Sequence, residues 1–391
     1  MTTELRPDEL CRRCDPQTIR FETTADERAP LDLLGQDRAV EAAHFAFVMR
    51  HPGYNLFALG PDGVGKRTAI HDLLEREAAG QPTPDDWCLV YDFREPRRPR
   101  ALRLPPGIGI RLRGEMEHAV AELRAALPAV FASEEYRTRK QQLGHDLQLR
   151  QEAAFHLLQE RARALRIFVE RTETGVAIAP MRDGAPIDGE QFEQLPEAEQ
   201  LLLRTALEHA GAALSDMFAR FREWAREHTE AVHALDRDVT AAATRRVLDA
   251  LRAGHAELPQ VTAYLDEVET DVVDDVTRFL PRPADDPPEV LRRVLQHERD
   301  ERLRRYEVNV MVDHAATRGA PIVVEDNPTL ANLIGSVEHV AELGALVTDL
   351  TLIRPGALHR ANGGYLLLDA ARLLQQPLSW PALKRALRSR E

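Results

Sequence analysis

Gly60-Pro61-Asp62-Gly63-Val64-Gly65-Lys66-Arg67-Thr68 constrains this chain more than any other stretch. It follows a short apolar run, Asn55–Leu59, and leads into a helical pattern that continues through Ala78. Two glycines five apart and a lysine, set between a strand and a helix, form the pattern of a phosphate loop. The glycines admit backbone torsions that turn successive N–H groups inward as an anion nest. The helix adds the positive end of its dipole. Lys66 adds a point charge for the β- and γ-phosphates of a nucleotide. Composition sharpens this reading. The 51 basic residues include only three lysines, Lys66, Lys140 and Lys384. Arginine is the default cation here, yet lysine stands where a longer, planar guanidinium would serve poorly.

The residue after the lysine is ordinarily Ser or Thr, whose hydroxyl ligates Mg2+. Here it is Arg67, with Thr68 one step late. Either Thr68 or water completes the metal shell, or metal binding is weaker than usual. The partner motif lies far downstream. Tyr365-Leu366-Leu367-Leu368-Asp369 reads as a buried strand ending in a carboxylate, and Asp369 is the expected residue facing Mg2+. The next position, normally a glutamate that polarises the attacking water, is Ala370. The motifs thus support binding of ATP with Mg2+, through Thr68 and Asp369, better than they support hydrolysis. No residue is assigned a catalytic role, and Glu325 is the first alternative base.

Around these motifs the chain alternates in character. Strand Trp87–Tyr91 follows the phosphate-loop helix, so the opening predicts a parallel α/β domain. From about Glu115 to Tyr306 the apolar residues fall at heptad spacing. One seam is Leu214, Phe218, Phe221, Ala225, His228, Val232, Leu235, Val239 and Ala242. A second runs Leu143, Leu147, Arg150, Ala154, Leu157, Arg161, Leu165 and Phe168, and a third Val261, Leu265, Val268, Val272 and Val276. That period predicts helices wound on one another in an antiparallel arm. Between the first two seams in chain order, Val176–Ala179 and the turn Arg182-Asp183-Gly184 predict a small β-hairpin at the arm's tip. Pro281–Pro288 reads as a linker before a helix ending near Arg305. Apolar strands return at Glu307–Val312, Pro321–Glu325 and Leu346–Ile353, and a last helix spans Pro381–Arg388.

Composition excludes several classes. With 391 residues, 43% hydrophobic and 29% charged, the chain is globular, with two or three domains. A net charge of −13 offers no basic field for a nucleic-acid backbone, and 5% aromatic content is thin for base stacking. No apolar run approaches the roughly 20 residues that span a bilayer. The N-terminus lacks the apolar core of a secretory signal, so a cytoplasmic location is expected, with no membrane or nucleic-acid partner. Cys11 and Cys14 have the spacing of a zinc or redox pair, but no second pair completes four ligands.

Several stretches together resemble the ATPase part of the Lon-like AAA+ proteases, in the archaeal-type LonB-like and related bacterial branch. They are Leu34-Gly35-Gln36-Asp37-Arg38-Ala39, Gly53-Tyr54-Asn55-Leu56-Phe57 and the phosphate loop. Further on come Asp326-Asn327-Pro328-Thr329, Asn332–His339 and the long run Arg354–Ala370, similar to the family's pore-side loop leading into the second nucleotide motif. The resemblance covers roughly residues 15–115 and 306–391. It implies a P-loop AAA+ core interrupted by a long helical coiled-coil insertion with a small β-hairpin. The expected domains are 1–115 (lead-in and first part of the core), 116–305 (insertion) and 306–391 (second part of the core). It also implies unfolded protein substrates and a homo-oligomeric, hexameric ring. Family members continue into a sensor strand, a lid and a protease domain with a Ser–Lys dyad, so the expected role is the ATP-binding, substrate-engaging part of such a protease. The alternative is a scaffold that no longer hydrolyses ATP and uses its helical arm for assembly or capture.

Overall fold

The computed structural model describes residues 6, 14–19, 22, 23, 25, 36–49, 51, 53–61, 63–172, 175–281, 300–342 and 345–389. Cys11, Leu34, Gly35, Asp62 and most of the Pro281–Pro288 linker lie outside them. The chain forms two compact units: Met1–Thr83 with Thr317–Leu330 and Ala361–Glu391, and Pro84–Ala316 with Ala331–Arg360.

Helices α1 (Asp37–Val48) and α2 (Lys66–Ala78) belong to the first unit. The second unit opens with strands β1 (Asp86–Val90) and β2 (Arg100–Leu104) and helices α3 (Ile108–Phe131) and α4 (Glu134–Ala164). Strands β3 (Ile167–Thr172), β4 (Gly175–Arg182) and β5 (Ala185–Pro186) follow, then the short α5 (Gly189–Glu193). Helices α6 (Glu197–Gly254) and α7 (Pro259–Asp274) and strand β6 (Asn309–Val312) come next. The first unit resumes with β7 (Ile322–Glu325) and ends with β8 (Tyr365–Leu368), α8 (Ala370–Gln375) and α9 (Ser379–Ser389).

In the second unit, β1 sits between β2 and β6 in an antiparallel sheet. This corrects the expectation that the segment after the phosphate-loop helix joins a parallel sheet. The connection from β1 to β2, residues 91–99, is too short for a parallel crossover, and Cys88 and Val90 alternate onto the face that meets Leu112, Met116, Ala119, Leu123 and Leu127 of α3. Val247 and Leu248 of α6 and Val261, Tyr264, Leu265, Val268 and Val272 of α7 complete that core. Of the third seam, Val261, Leu265, Val268 and Val272 are buried on α7, while Val276 is half-buried in a 3-10 turn beyond the helix end. Buried Asp86 starts α3: its carboxylate accepts from Gly109 N at 2.9 Å and from His314 N at 2.8 Å. Gly109 is obligatory there, since a Cβ would lie 2.8 Å from Cys88 Sγ.

A second core joins Phe155, Leu158 and Ala162 of α4, Ile167 and Val169 of β3, and Leu203, Ala206, Ala210 and Met217 of α6. Strands β3, β4 and β5 form an antiparallel meander, with the turn at Asp183-Gly184 as read. At 58 residues, α6 is about 87 Å long. The second seam is shifted. Leu157 and Leu165 are exposed, and Phe155, Leu158 and Ala162 turn inward instead. Helix α4 ends at Ala164, so Phe168 belongs to a strand, and the packing of Phe155 against β3 and α6 sets the phase. The α6 seam is mixed: Leu235 is buried, but Phe218 is 38% exposed.

In the first unit, β7 and β8 pair in parallel, with Tyr365 opposite Ile322 and Leu368 opposite Glu325. Ala43, Phe47 and Leu74 pack with Ile70, Leu73, Ile322, Tyr365 and Leu367. The expected strand Asn55–Leu59 does not form. Its backbone joins no ladder, and Phe57 and Leu59 are 70% and 87% exposed. An apolar run becomes a strand only where an edge accepts its hydrogen bonds.

Candidate nucleotide site

The loop before α2 has the backbone its glycines permit. Gly63 and Gly65 take φ of +80° and +79°, torsions that favour glycine. A Cβ on either would meet nothing within 4 Å, so these positions are fixed by torsion and the space above them is open. Helix α2 starts at Lys66. The lysine reaches back across its own loop, and Nζ donates to Gly60 O at 2.5 Å and to Pro61 O at 2.7 Å. Val64 is exposed, and Thr68 is exposed in the first turn of α2.

Ligands of parallel α/β sheets bind beyond the carboxyl ends of the strands. Here those ends carry two aspartates, Asp326 after β7 and Asp369 after β8. Asp369 caps α8, its Oδ1 accepting from Arg372 N at 3.0 Å, and Arg372 Nε lies 3.9 Å from Oδ2. Arg372 Nη1 also donates to Asp326 O at 2.9 Å. Arg67 grips Asp326 with a two-bond fork, Nη2 to Oδ2 at 2.9 Å and Nη1 to Oδ1. The Arg67 hydrogen bond holds the Asp326 carboxyl below its usual range, and the same bond raises the Arg67 guanidinium. Both side chains are more than half exposed, so the pair adds little to stability. Glu325 Oε1 accepts from Asn327 N at 3.0 Å.

Arg67 and Asp369 thus share one cluster, since the negative charge of Asp369 also acts on Arg67. No hydrogen bond among the described residues ties Thr68 to Asp369. Asp326 and Arg372 were not singled out as site residues from sequence. The signal for Asp326 was present: Pro321–Glu325 is a second apolar strand followed by a carboxylate, the pattern that drew attention to Asp369. Elsewhere on α2, His71, Asp72 and Glu75 cluster as ordinary solvated neighbours one helical turn apart.

A polyphosphate fits the loop, with open left-handed glycines, a helix N-terminus and a lysine beside it. Among the described residues the donors left to a divalent cation are the carboxylates of Asp326 and Asp369, since Arg67 has no lone pair to offer. Each carboxylate has about four lone-pair sites and keeps some beyond its bonds to Arg67 or to Arg372 N.

Residues 318–391 match the family model for the LonB-like AAA domain, and residues 86–119 match that for the Lon-like LonC helical domain. The first span includes β7, β8, Asp326, Asp369 and Arg372. The second includes β1, β2 and the start of α3. Together they support membership of the Lon-like AAA+ protease family. The AAA domain carries with it an expectation of ATP binding, typically with Mg2+. Gly60–Thr68 lies outside both spans. No curated protein matches the chain. Among the described residues, no helix is long and apolar enough to cross a membrane.

Proposed function

We propose that this chain is the ATP-binding, substrate-engaging AAA+ part of a Lon-like ATP-dependent protease. Gly60, Pro61, Asp62, Gly63, Val64, Gly65, Lys66, Arg67 and Thr68 hold the phosphates, and Asp369 stands at the γ-phosphate side. One observation carries the reading: a glycine loop in left-handed torsions feeds Lys66 into a helix, and that helix's Arg67 is bonded to the carboxyl end of a parallel strand pair. ATP binding would bias the chain's conformation, and unfolded protein would be the substrate, handled by a ring of identical subunits. Calorimetry with a non-hydrolysable ATP analogue tests the site. Lys66→Ala removes a charge-assisted contact of about 1.5–3 kcal/mol, so affinity falls at least about tenfold. Equal affinity in the two proteins would sink the assignment.

A second reading has its own support. With Ala370 after Asp369, and Asp369 serving as a helix cap, the glutamate usual at that position is replaced, and Glu325 at the end of β7 is the remaining candidate base. The chain then acts as an ATP-responsive scaffold whose long helices serve assembly or capture. Phosphate release separates the two. Robust turnover abolished by Asp369→Ala favours the first, and ATP binding without turnover favours the second.

A further inference from the structure

Arg67 starts inside the phosphate site and ends on a carboxylate. The first hydrogen bond within α2 runs from Ala69 N to Gly65 O at 2.9 Å, so the backbone N–H groups of residues 66–68 precede the helical ladder. Those are the donors that a helix start offers to phosphate oxygens. The side chain leaves that point for the end of β7, where Nη2 donates to Asp326 Oδ2 at 2.9 Å and Nη1 donates to Oδ1. Such an end-on fork fits a phosphate as it fits a carboxylate, and its two N–H groups serve one such group at a time.

The hold of Asp326 is weak. Both side chains are more than half exposed, so opening the pair costs little. Opening does not strip Asp326 of cations, because Arg372 donates to Asp326 O at 2.9 Å and its charge also acts on the carboxylate. While the fork is closed, Arg67 and Asp326 cancel in charge, and a phosphate gains little from the arginine. Once open, the guanidinium is a second cation next to Lys66, at the positive end of the helix dipole. A triphosphate carries more negative charge than one carboxylate and has that dipole behind it, so it is the stronger claimant.

We infer that the Arg67–Asp326 fork is a clasp that nucleotide opens: bound phosphates take the Arg67 fork, and Asp326 competes with them for it and so limits affinity. The inference rests on reading Gly60–Thr68 as a phosphate site and gives Asp326 a regulatory part beside it.

The test is a double-mutant cycle on the full chain, read by calorimetric titration with AMP-PNP in excess Mg2+. Asp326→Asn removes the competitor and should bind at least about threefold more tightly than wild type. Arg67→Ala removes the contested group and should bind at least about threefold more weakly. Added to Arg67→Ala, Asp326→Asn should gain less than about threefold, because no fork remains to be released. Circular dichroism checks the fold of each variant, and the exposure of both side chains favours an intact one. A gain of about threefold or more in both backgrounds is plain charge repulsion by Asp326 and overturns the inference. Asp326→Asn binding that matches or falls below wild type also overturns it, since Asp326 then does not compete. So does an Arg67→Ala protein that binds like wild type. Absence of binding by all four proteins overturns the phosphate-site reading itself, so the two failures are distinguishable.

Discussion

The two compact units cover their apolar residues differently. The second unit builds two apolar cores, one from β1, β2, α3, α6 and α7, closed by Phe279 and Tyr306, both fully buried, and one from α4, β3 and α6. In the first unit only Ala43, Phe47 and Leu74 form a buried cluster among the described residues, and Tyr54, Phe57, Leu59 and Val64 are exposed. Yet the first unit holds the phosphate-loop residues, Asp326, Asp369 and Arg372. Its charged cluster lies in solvent, where ion pairs contribute little to stability. The difference separates two jobs. Substitutions in the second unit should be felt as folding free energy, and those at the strand ends of the first as ligand affinity.

The largest effect tests that separation directly. Phe279→Ala removes a fully buried ring that stacks on Tyr306 at 5.7 Å, and should cost about 3–5 kcal/mol in urea unfolding. Leu74→Ala, in the thin core of the first unit, should fall near the low end of the range for such truncations, about 2 kcal/mol. Equal losses would break the comparison. Lys66→Ala should weaken ATP-analogue binding at least about tenfold and leave the urea midpoint within error. Asp86→Ala leaves the N–H groups of Gly109 and His314 without their carboxylate, at about 1–3 kcal/mol, with no effect on the affinity of the first unit. Smallest of all, Arg150→Ala breaks an exposed pair with Glu227 at 3.5 Å and should change stability by under about 1 kcal/mol.

Alkaline pH should sharpen the same contrast. Burial, then the nearby charge of Asp86, pushes the Cys88 thiol from 9.0 to about 12. Burial likewise raises the hydroxyls of Tyr264 and Tyr306. The unfolded thiol releases its proton first, so the folded state holds more protons between those two values. The stabilisation is therefore full below about pH 9 and is lost as pH rises toward 12. The urea midpoint of the second unit should fall across that window, and Cys88→Ala should flatten the fall. Thiol reagents should likewise label exposed Cys14 in the native protein and Cys88 only on unfolding.

Local chemistry made much of this protein legible before any coordinates. Gly63 and Gly65 are needed for their torsions, and Lys66 stands out because arginine is the default cation, so the loop announced itself. The seam on α7 was readable because the heptad pattern coincided with a face buried on every turn, and the β-hairpin turn was readable from Asp183-Gly184. Strand partnership, by contrast, depends on edges supplied from elsewhere in the chain. Asn55–Leu59 has a strand's composition and no ladder, and β1 pairs antiparallel with nearby β2 and with β6, whose residues lie more than two hundred positions away. The phase of α4 is set by which residue meets β3 and α6, Phe155 rather than Leu157. Arg67 could be read from sequence only as a missing hydroxyl. Its partner Asp326 lies 259 residues further on, and only folding two distant strand ends onto one helix turned that departure into an ion pair. Torsion and periodicity are written within a few residues of themselves. Pairing and charge neutralisation belong to whatever the fold brings near.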